Sequence, residues 1–566
     1  MLLERGKAVN ILGINCFSHD TSACLLVDGE VIAFAEEERF NKEKHTRAFP
    51  DNAIDFCLRE GNTSINDLDY VGFPFKPGLD YWRGFIDFLK GIPLSSRRFA
   101  GQTYFDYSLI KKVVDFKKRY GYRNKILFVG HHEAHAASSF YVSPFDKAAI
   151  LSIDRGGDYL STLLARGEGN RIEVLKRIKN PHSLGSLYTV VTAYLGFKPN
   201  SDEGKVMGLA PYGRPTYLQN FREIVRLNEG GEFKIDLSYF TYHILGGYGV
   251  SPKFLKLFGQ AREPESEIHE RHEDIAWALQ KVTEEAALHL ANHLHSITGE
   301  KNLCVAGGVG LNSVMNAAFL RESPFEHIFI QPAANDAGTS LGCALYIWHM
   351  LLGRERNYAM EHAYYGPEFS NDEIERTLEN HGVPYSYVEN PAKAGAELVA
   401  RGKIVGWFQG RMEVGPRALG NRSILADPRD PNMKDILNRK VKHRESFRPF
   451  APSVLEEYAE DYFDDYYPSP FMLLVLPIKG DRKGMIPAVC HVDGTGRLQT
   501  VTGEENPLYW ELINEFKKIT GIPLVVNTSF NVRGQPIVMS PQDALECYLS
   551  TQLDCLIMGN YLLEKD

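Results

Sequence analysis

Two stretches of this chain repeat one theme, and that repeat narrows the fold more than any other feature. Residues 10–38 read NILGINCF, a polar SHDTS turn, ACLLV, Asp28-Gly29, then EVIAFAEE. Apolar runs broken at Asp-Gly predict a β-hairpin, because these two residues tolerate the positive φ angles of turns that match strand twist. Residues 149–165, AILSIDRGGDYLSTLLA, again place an apolar strand before an aspartate and glycines, then a second strand. An amphipathic helix is predicted over 274–298, where Ile275, Leu279, Val282, Ala286, Leu290, Leu294 and Ile297 recur every three or four residues. LCVAGGVGLNSVMN then reads as strand, glycine turn and helix start. The polar region 353–395 carries Gly366-Pro367 and Asn390-Pro391, and Ser370 with Glu373 has the spacing of a capping box. A domain boundary is placed near 395, giving domains 1–395 and 396–566.

Bulk properties exclude several classes. At 566 residues the chain exceeds one hydrophobic core, so several packed units of roughly 150 residues are expected. A formal net charge of −9 argues against a general nucleic-acid or membrane-surface binder. Between Arg411 and Arg448, however, ten Lys or Arg face five Asp or Glu. No apolar run reaches the ~18 residues of a membrane span. The start MLLERGKAVNILGI has charges inside its apolar stretch and no small-residue cleavage pattern, so no signal peptide is expected. Eight scattered cysteines without a C-x-x-C pair predict reduced thiols in a cytoplasmic protein.

Metal chemistry is suggested by FVGHHEAHAASSF (128–140). His131 and His135 stand at i and i+4, so on a helix they share a face and can grip one ion. His132 points elsewhere and reads as structural. Asp154 ends the strand AILSID, and Asp336 lies in QPAANDAGTS before an apolar helix. Each can aim a carboxylate into a cleft, although a lone aspartate there is more often a turn former. Two imidazoles with two carboxylates suit Fe(II), Mn(II) or Zn(II).

Phosphate chemistry is suggested by GGVGLN (307–312), where Gly307 and Gly308 let the backbone approach a ligand at a helix start. This is neither a Walker loop nor the G-x-G-x-x-G fingerprint. The SHDTS turn and the glycines after Asp154 add two loops suited to phosphate, and Lys205 in NSDEGKVMGLAPYG offers a cation. Further on, Lys442, Arg444 and Arg448 alternate at even spacing, which on an extended segment turns them the same way.

The two Asp/Gly hairpins followed by a Gly-Gly turn resemble the layout of the actin-like ATPases, duplicated α/β folds that clamp a nucleotide between related halves. HHEAH, SID, AGGVGLN and NDAG resemble the metal domain of the tRNA threonylcarbamoyl transferases. GRMEVGPRALGNRSILADPR, NRKVKHRESFRPFAPSV, HVDGTGRLQTV and NTSFNVRGQPIV resemble the C-terminal, YrdC-like domain of the O-carbamoyltransferases of antibiotic and nodulation-factor biosynthesis. HDTSACLLVDG and AFAEEERFNKEKH match the start of that same family, and the resemblance runs from 11 to 560.

The resemblance implies an actin-like domain followed by a YrdC-like domain. It implies ATP with Mg²⁺, and two steps: carbamoyl-adenylate is made from carbamoyl phosphate, then its carbamoyl group passes to a hydroxyl of a small molecule. His131, His135, Asp154 and Asp336 would hold the metal, Fe(II) by resemblance, and His19 would be the general base. Lys44, Lys205, Gly307, Gly308 and Asn312 would contact the adenylate in the first domain. Arg417, Lys442, Arg444, Arg448, Arg497, Asn527 and Ser529 would bind carbamoyl phosphate and ATP in the second. Glu413 either orients Arg417 or binds Mg²⁺. The aromatic stretches FPFKPGLDYWRGFIDF and YFTYHILGGYGVSP either line the acceptor cleft or pack the core. A tRNA-modifying enzyme and a non-catalytic relative are the competing classes. Oligomeric state stays open, a homodimer being one option.

Overall fold

The computed structural model describes residues 8–17, 19–78 and 96–565. Two compact units divide the chain: Met1–Glu37 with His45–Met360, and Glu38–Lys44 with Glu361–Asp566.

In the first unit the expected hairpin forms as β1 (Asn10–Asn15), β2 (Ser22–Val27) and β3 (Glu30–Glu36). Asp28 (φ +50°) and Gly29 (φ +89°) turn the chain between β2 and β3. β4 (Tyr70–Phe73) and β5 (Lys125–Phe128) complete a sheet of order β3-β2-β1-β4-β5. The first three strands run antiparallel; β1, β4 and β5 run parallel. The second hairpin theme forms β6 (Lys147–Gly157) and β7 (Leu160–Glu168), followed by β8 (Arg171–Lys179). After the separate hairpin β9 (Val225–Asn228) and β10 (Glu232–Ile235) come β11 (Asn302–Ala306) and β12 (His327–Ile330). Their sheet has the order β12-β11-β6-β7-β8, again an antiparallel meander with two parallel strands added beside its first. One topology used twice is the duplicated actin-like architecture. The helix Gly338–Leu345 lies tight against the helix His131–Phe140; a Cβ on Gly342 would stand 1.8 Å from the Ala134 carbonyl oxygen.

The long helix runs Glu270–Thr298, four residues further toward the N-terminus than its apolar period. A capping box between His269 and His272 nucleates it there, and Gly299 in the left-handed region ends it. Ile275, Leu279, Val282, Ala286, Leu290 and Leu294 are buried, whereas Ile297 is 48% exposed, so the buried stripe stops one turn before its expected end.

The second unit is a nine-stranded mixed sheet of order β13-β21-β20-β14-β15-β19-β16-β18-β17. Its strands are β13 (Ser386–Tyr387), β14 (Val405–Phe408), β15 (Arg422–Ala426), β16 (Ala451–Leu455), β17 (Leu474–Pro477), β18 (Thr495–Val501), β19 (Leu524–Ser529), β20 (Cys555–Met558) and β21 (Tyr561–Glu564). The boundary expected near 395 falls inside this unit. The Ser370/Glu373 capping box starts a helix Asn371–His381 whose first residue bonds Asn560, and β13 pairs with β21. The polar stretch after residue 360 is therefore structure and not linker.

A second departure is the segment Glu38–Lys44, which belongs to the second unit although it follows β3 directly. Arg39, 3% exposed, donates to the Gly415 carbonyl at 2.7 Å, and Lys42 pairs with Asp543. None of the eight cysteines forms a disulfide. Among the described residues no helix is long and apolar enough to cross a membrane.

Candidate functional site

His131 opens the helix His131–Phe140, so His131 and His135 share its first turn and one face. Their Nε2 atoms are 3.2 Å apart. Asp154 reaches them from β6 and Asp336 from the loop before the helix Gly338–Leu345. Asp154 Oδ2 lies 3.6 Å from His131 Nε2, and Asp336 Oδ1 lies 3.6 Å from both imidazole Nε2 atoms. All four residues are buried, and one ligand atom from each lies within 4.8 Å of the others. Two buried imidazole nitrogens at hydrogen-bond distance, facing two carboxylates, are the donor set of a divalent cation, so the residues fit the expected metal. Burial opposes charge on both aspartates, yet the histidines more than offset it and hold both carboxyls below their ordinary range. Burial likewise opposes a charged His131, but Asp336 and Asp154 raise it to about 9.

The surroundings fix this geometry. The His131 ring packs on Phe75 at 4.5 Å, and its backbone N–H donates to Asp158 at 2.7 Å. A Cβ on Gly157 would stand 2.2 Å from the His131 ring, so the glycine after Asp154 makes room for the imidazole. Gly156 and Gly308 donate backbone N–H groups to Asp154 at 3.0 and 2.9 Å. Gly307 (φ +88°) lets that turn approach Ile153. Thus the GGVGLN turn, expected to face phosphate, also orients a carboxylate. Asn312 accepts from the Met315 N–H as a helix cap and exchanges two hydrogen bonds with Gln280, which commits its side chain within the protein. Lys205 is buried against Phe197 and pairs with Asp202 at 3.0 Å. His132, as expected, is structural: its Nδ1 lies 2.9 Å from the Ser152 hydroxyl.

His19 sits in the turn between β1 and β2 with 22% of its side chain exposed. Its Nδ1 is 2.8 Å from Asp20 Oδ2. Burial disfavours its charge, but Asp20 outweighs that and Asp336 and Asp154 add to it, so His19 is raised to about 9. The sequence reading did not single out Asp20 or His45, which lies 2.6 Å from the other Asp20 oxygen. Of the aromatic stretches, residues 79–88 of the first lie outside the described residues. Phe73, Phe75 and Phe240 are core, while the Tyr248 ring carries the Arg155 guanidinium at 5.4 Å, next to Asp154 in sequence.

The second unit gathers the basic residues. Burial comes first in lowering the Arg497 guanidinium, and the nearby charges of Arg417, Arg444 and Arg448 lower it further. Arg417 is pushed down to about 10 by burial and by Arg448. The Nε atoms of Arg417 and Arg497 are buried without a hydrogen-bond partner among the described residues. Glu413 Oε1 accepts from the backbone N–H of Leu419, Asn421 and Arg422 at 2.7, 2.8 and 3.2 Å, while its Oε2 is buried with no partner among the described residues. It braces the loop that carries Arg417.

Two expectations need correction here, the extended alternation of the basic residues and the unit that carries Lys44. Lys442, Arg444 and Arg448 do not alternate along an extended strand; Lys442 closes a helical turn and His443 follows with φ +46°. The Lys442 ammonium, 3% exposed, donates to the Ser529 carbonyl and to Asn531 oxygens at 3.0 Å, so it ties down the loop after β19. Asn527 is fully buried; its amide nitrogen donates to Ala418, Ser453 and Gln499, while its side-chain oxygen is buried with no partner among the described residues. Ser529 bonds Asn531 at 2.8 Å and Arg444 bonds Asn438 at 2.7 Å. Lys44, assigned to the first domain, belongs to the second unit, where its charge is felt by Lys442.

Residues 10–345 match the family model described as carbamoyltransferase N-terminus, and residues 396–565 match carbamoyltransferase C-terminus. The chain is 43% identical to an uncharacterized protein of Synechocystis sp., over 98% of this chain and 97% of that protein. It is 39% identical to the nodulation protein NolNO of Sinorhizobium fredii, over 97% of this chain and 80% of the relative. It is 40% identical to the nodulation protein NolO of Bradyrhizobium diazoefficiens, over 77% and 79%. Among solved structures it is similar to component A of the Acidaminococcus fermentans (R)-2-hydroxyglutaryl-CoA dehydratase, 14% identical with a TM-score of 0.33, over 61% of this chain and 99% of that one.

Proposed function

The chain belongs to the carbamoyltransferase family, and from that premise we propose that it is an ATP-dependent O-carbamoyltransferase acting on a hydroxyl of a small molecule. The observation that carries this reading is the cluster of Arg417, Arg444, Arg448 and Arg497, in which two buried guanidinium N–H groups have no partner. Mutually repelling, desolvated guanidiniums are relieved by a compact polyanion, and their forked donors match phosphate oxygens. Carbamoyl phosphate and ATP supply such anions. Arg417, Arg448 and Arg497 bind them; Lys442, Arg444, Ser529 and Asn527 hold the surrounding loops.

The first unit carries out transfer. His131, His135, Asp154 and Asp336 would hold a divalent metal ion, Fe(II) being our assignment; such an ion supplies a Lewis acid beside the carbamoyl group. The acceptor oxygen bonds to the carbamoyl carbon, the bond from that carbon to the adenylate phosphate breaks, and AMP leaves with the electron pair. His19, its Nδ1 held by Asp20, takes the hydroxyl proton; a cation balancing Asp154 and Asp336 would offset two of the charges that raise it. Tyr248 and Arg155 form part of the acceptor wall. Eight thiols outside any disulfide support a cytoplasmic location.

The test is incubation of purified protein with ATP and carbamoyl phosphate without acceptor, followed by mass spectrometry. Carbamoyl-adenylate and pyrophosphate are expected only when both substrates are present. Their absence from folded, metal-loaded protein would overturn the reading.

A further inference from the structure

The hydrogen bonds around Asp20 continue past His19. One Asp20 oxygen lies 2.8 Å from His19 Nδ1 and accepts from the Asn335 amide at 2.8 Å; the other lies 2.6 Å from His45 Nδ1. The two rings stand 6.5 Å apart at 82°. Asp20 is 5% exposed. Asn15, at the end of β1, donates to the Asp20 carbonyl at 3.0 Å and so holds the turn that carries both His19 and Asp20.

Both residues take left-handed backbone, Asp20 at φ +56° and His45 at φ +57°. Aspartate and histidine enter that region more readily than most side chains, so each turn reaches the shared carboxylate without a glycine. Here two such residues meet on one buried carboxylate.

A carboxylate bonded to one nitrogen of a base imidazole selects its tautomer and points the other nitrogen outward. A carboxylate that accepts from a second imidazole and an amide as well divides its charge among three donors. It then orients the base while competing less for its proton. We propose that His45 is a positioning residue for carbamoyl transfer: acting through Asp20, it fixes His19 with Nδ1 turned to the carboxylate and Nε2 toward the acceptor hydroxyl. This rests on His19 being the base. The charged groups acting on His19 are Asp20 on its own turn, and Asp336 and Asp154 from two other segments.

The experiment uses the full-length, metal-loaded protein and separates adenylate formation, read as pyrophosphate, from transfer, read with preformed carbamoyl-adenylate and the acceptor. His45→Leu is expected to lower transfer kcat roughly tenfold or more, the usual loss when a group orienting an active histidine is removed. Adenylate formation and acceptor KM stay unchanged. Losing one donor concentrates the Asp20 charge on His19, so the His19 proton is held to higher pH and the acidic limb of the transfer profile moves upward. His45→Gln, which keeps a donor, restores much of the rate and the original limb. Wild-type transfer with an unmoved acidic limb in both variants overturns the proposal. So does equal impairment of both variants accompanied by the same drop in unfolding temperature, which marks a merely structural residue. His19→Gln separates the two readings: if it retains transfer, the base assignment itself fails, whereas if it is inactive while His45→Leu is normal, only the role of His45 is lost.

Discussion

The first unit buries His131, His135, Asp154 and Asp336 so that their ligand atoms converge, and the second unit brings four guanidiniums within range of one another, two of them with a buried Nε that has no partner among the described residues. The first cluster is made of groups that accept a cation, and its aspartates are kept ionised by imidazoles. The second is made of groups that donate to an anion, and its arginines depress one another. In each case the protein leaves charge balance to a ligand of opposite sign, because desolvated like charges are tolerable only when paired. On the function proposed above, the difference divides labour: carbamoyl transfer at the metal to one unit, phosphate binding to the other.

Breaking the comparison from the metal side has the largest expected effect. His131→Ala with His135→Ala reduces transfer to background while leaving carbamoyl-phosphate-dependent pyrophosphate release intact, as a coupled phosphate assay and product mass spectrometry will report. From the anion side, Arg448→Ala lowers pyrophosphate release by on the order of 100-fold, the scale of losing one donor to a developing charge. Its metal content, measured by plasma mass spectrometry, stays at the wild-type level. If either variant damages the other's function equally, the division between units is wrong.

Ligand effects on stability are smaller. Binding to the folded state alone stabilises by about 2.7 kcal/mol at a hundred times Kd. Calorimetry should show a chelator lowering the unfolding temperature and divalent metal restoring it, while phosphate raises it by acting on the arginine cluster; Arg497→Ala removes only the phosphate effect.

The smallest effect sharpens the comparison with an acidic group that has no histidine partner. Glu505 in the second unit is raised to about 7, first by burial and then by Glu456. A carboxyl whose folded pKa exceeds its unfolded value keeps a proton that the unfolded chain releases. Its penalty is absent below about 4.5, grows as pH rises, and levels off above about 7. Glu505→Gln should therefore stabilise by on the order of 1 kcal/mol at pH 8 and hardly at all at pH 4.5, with partial solvent screening limiting the gain. Thermal unfolding at the two pH values decides it.

What could be read from the sequence was local. Asp28-Gly29 marked its turn, the long helix followed its 3.6 period, and His131 and His135 declared a shared face by spacing alone. Long-range events were not legible. Asp20 meets His45 only after β2 and β3 have formed, a pairing across 25 residues that no local pattern announces. Even spacing suggested that Lys442, Arg444 and Arg448 turn the same way, but a left-handed residue at His443 breaks the alternation and Lys442 turns inward. Asn527 came only from the family resemblance, and its burial between β15 and β16 is set by strand pairing that local pattern does not announce.

The seven residues Glu38–Lys44 have a consequence for how such a gene can be cut and recombined. They are encoded within the first family segment, yet Arg39 and Lys42 complete the second unit through Gly415 and Asp543. A gene fragment starting at codon 361 therefore lacks a piece of its own product. Chimaeras that join the front half of one relative to the back half of another will inherit mismatched partners at Arg39 and Lys42, unless the short stretch travels with the half it serves.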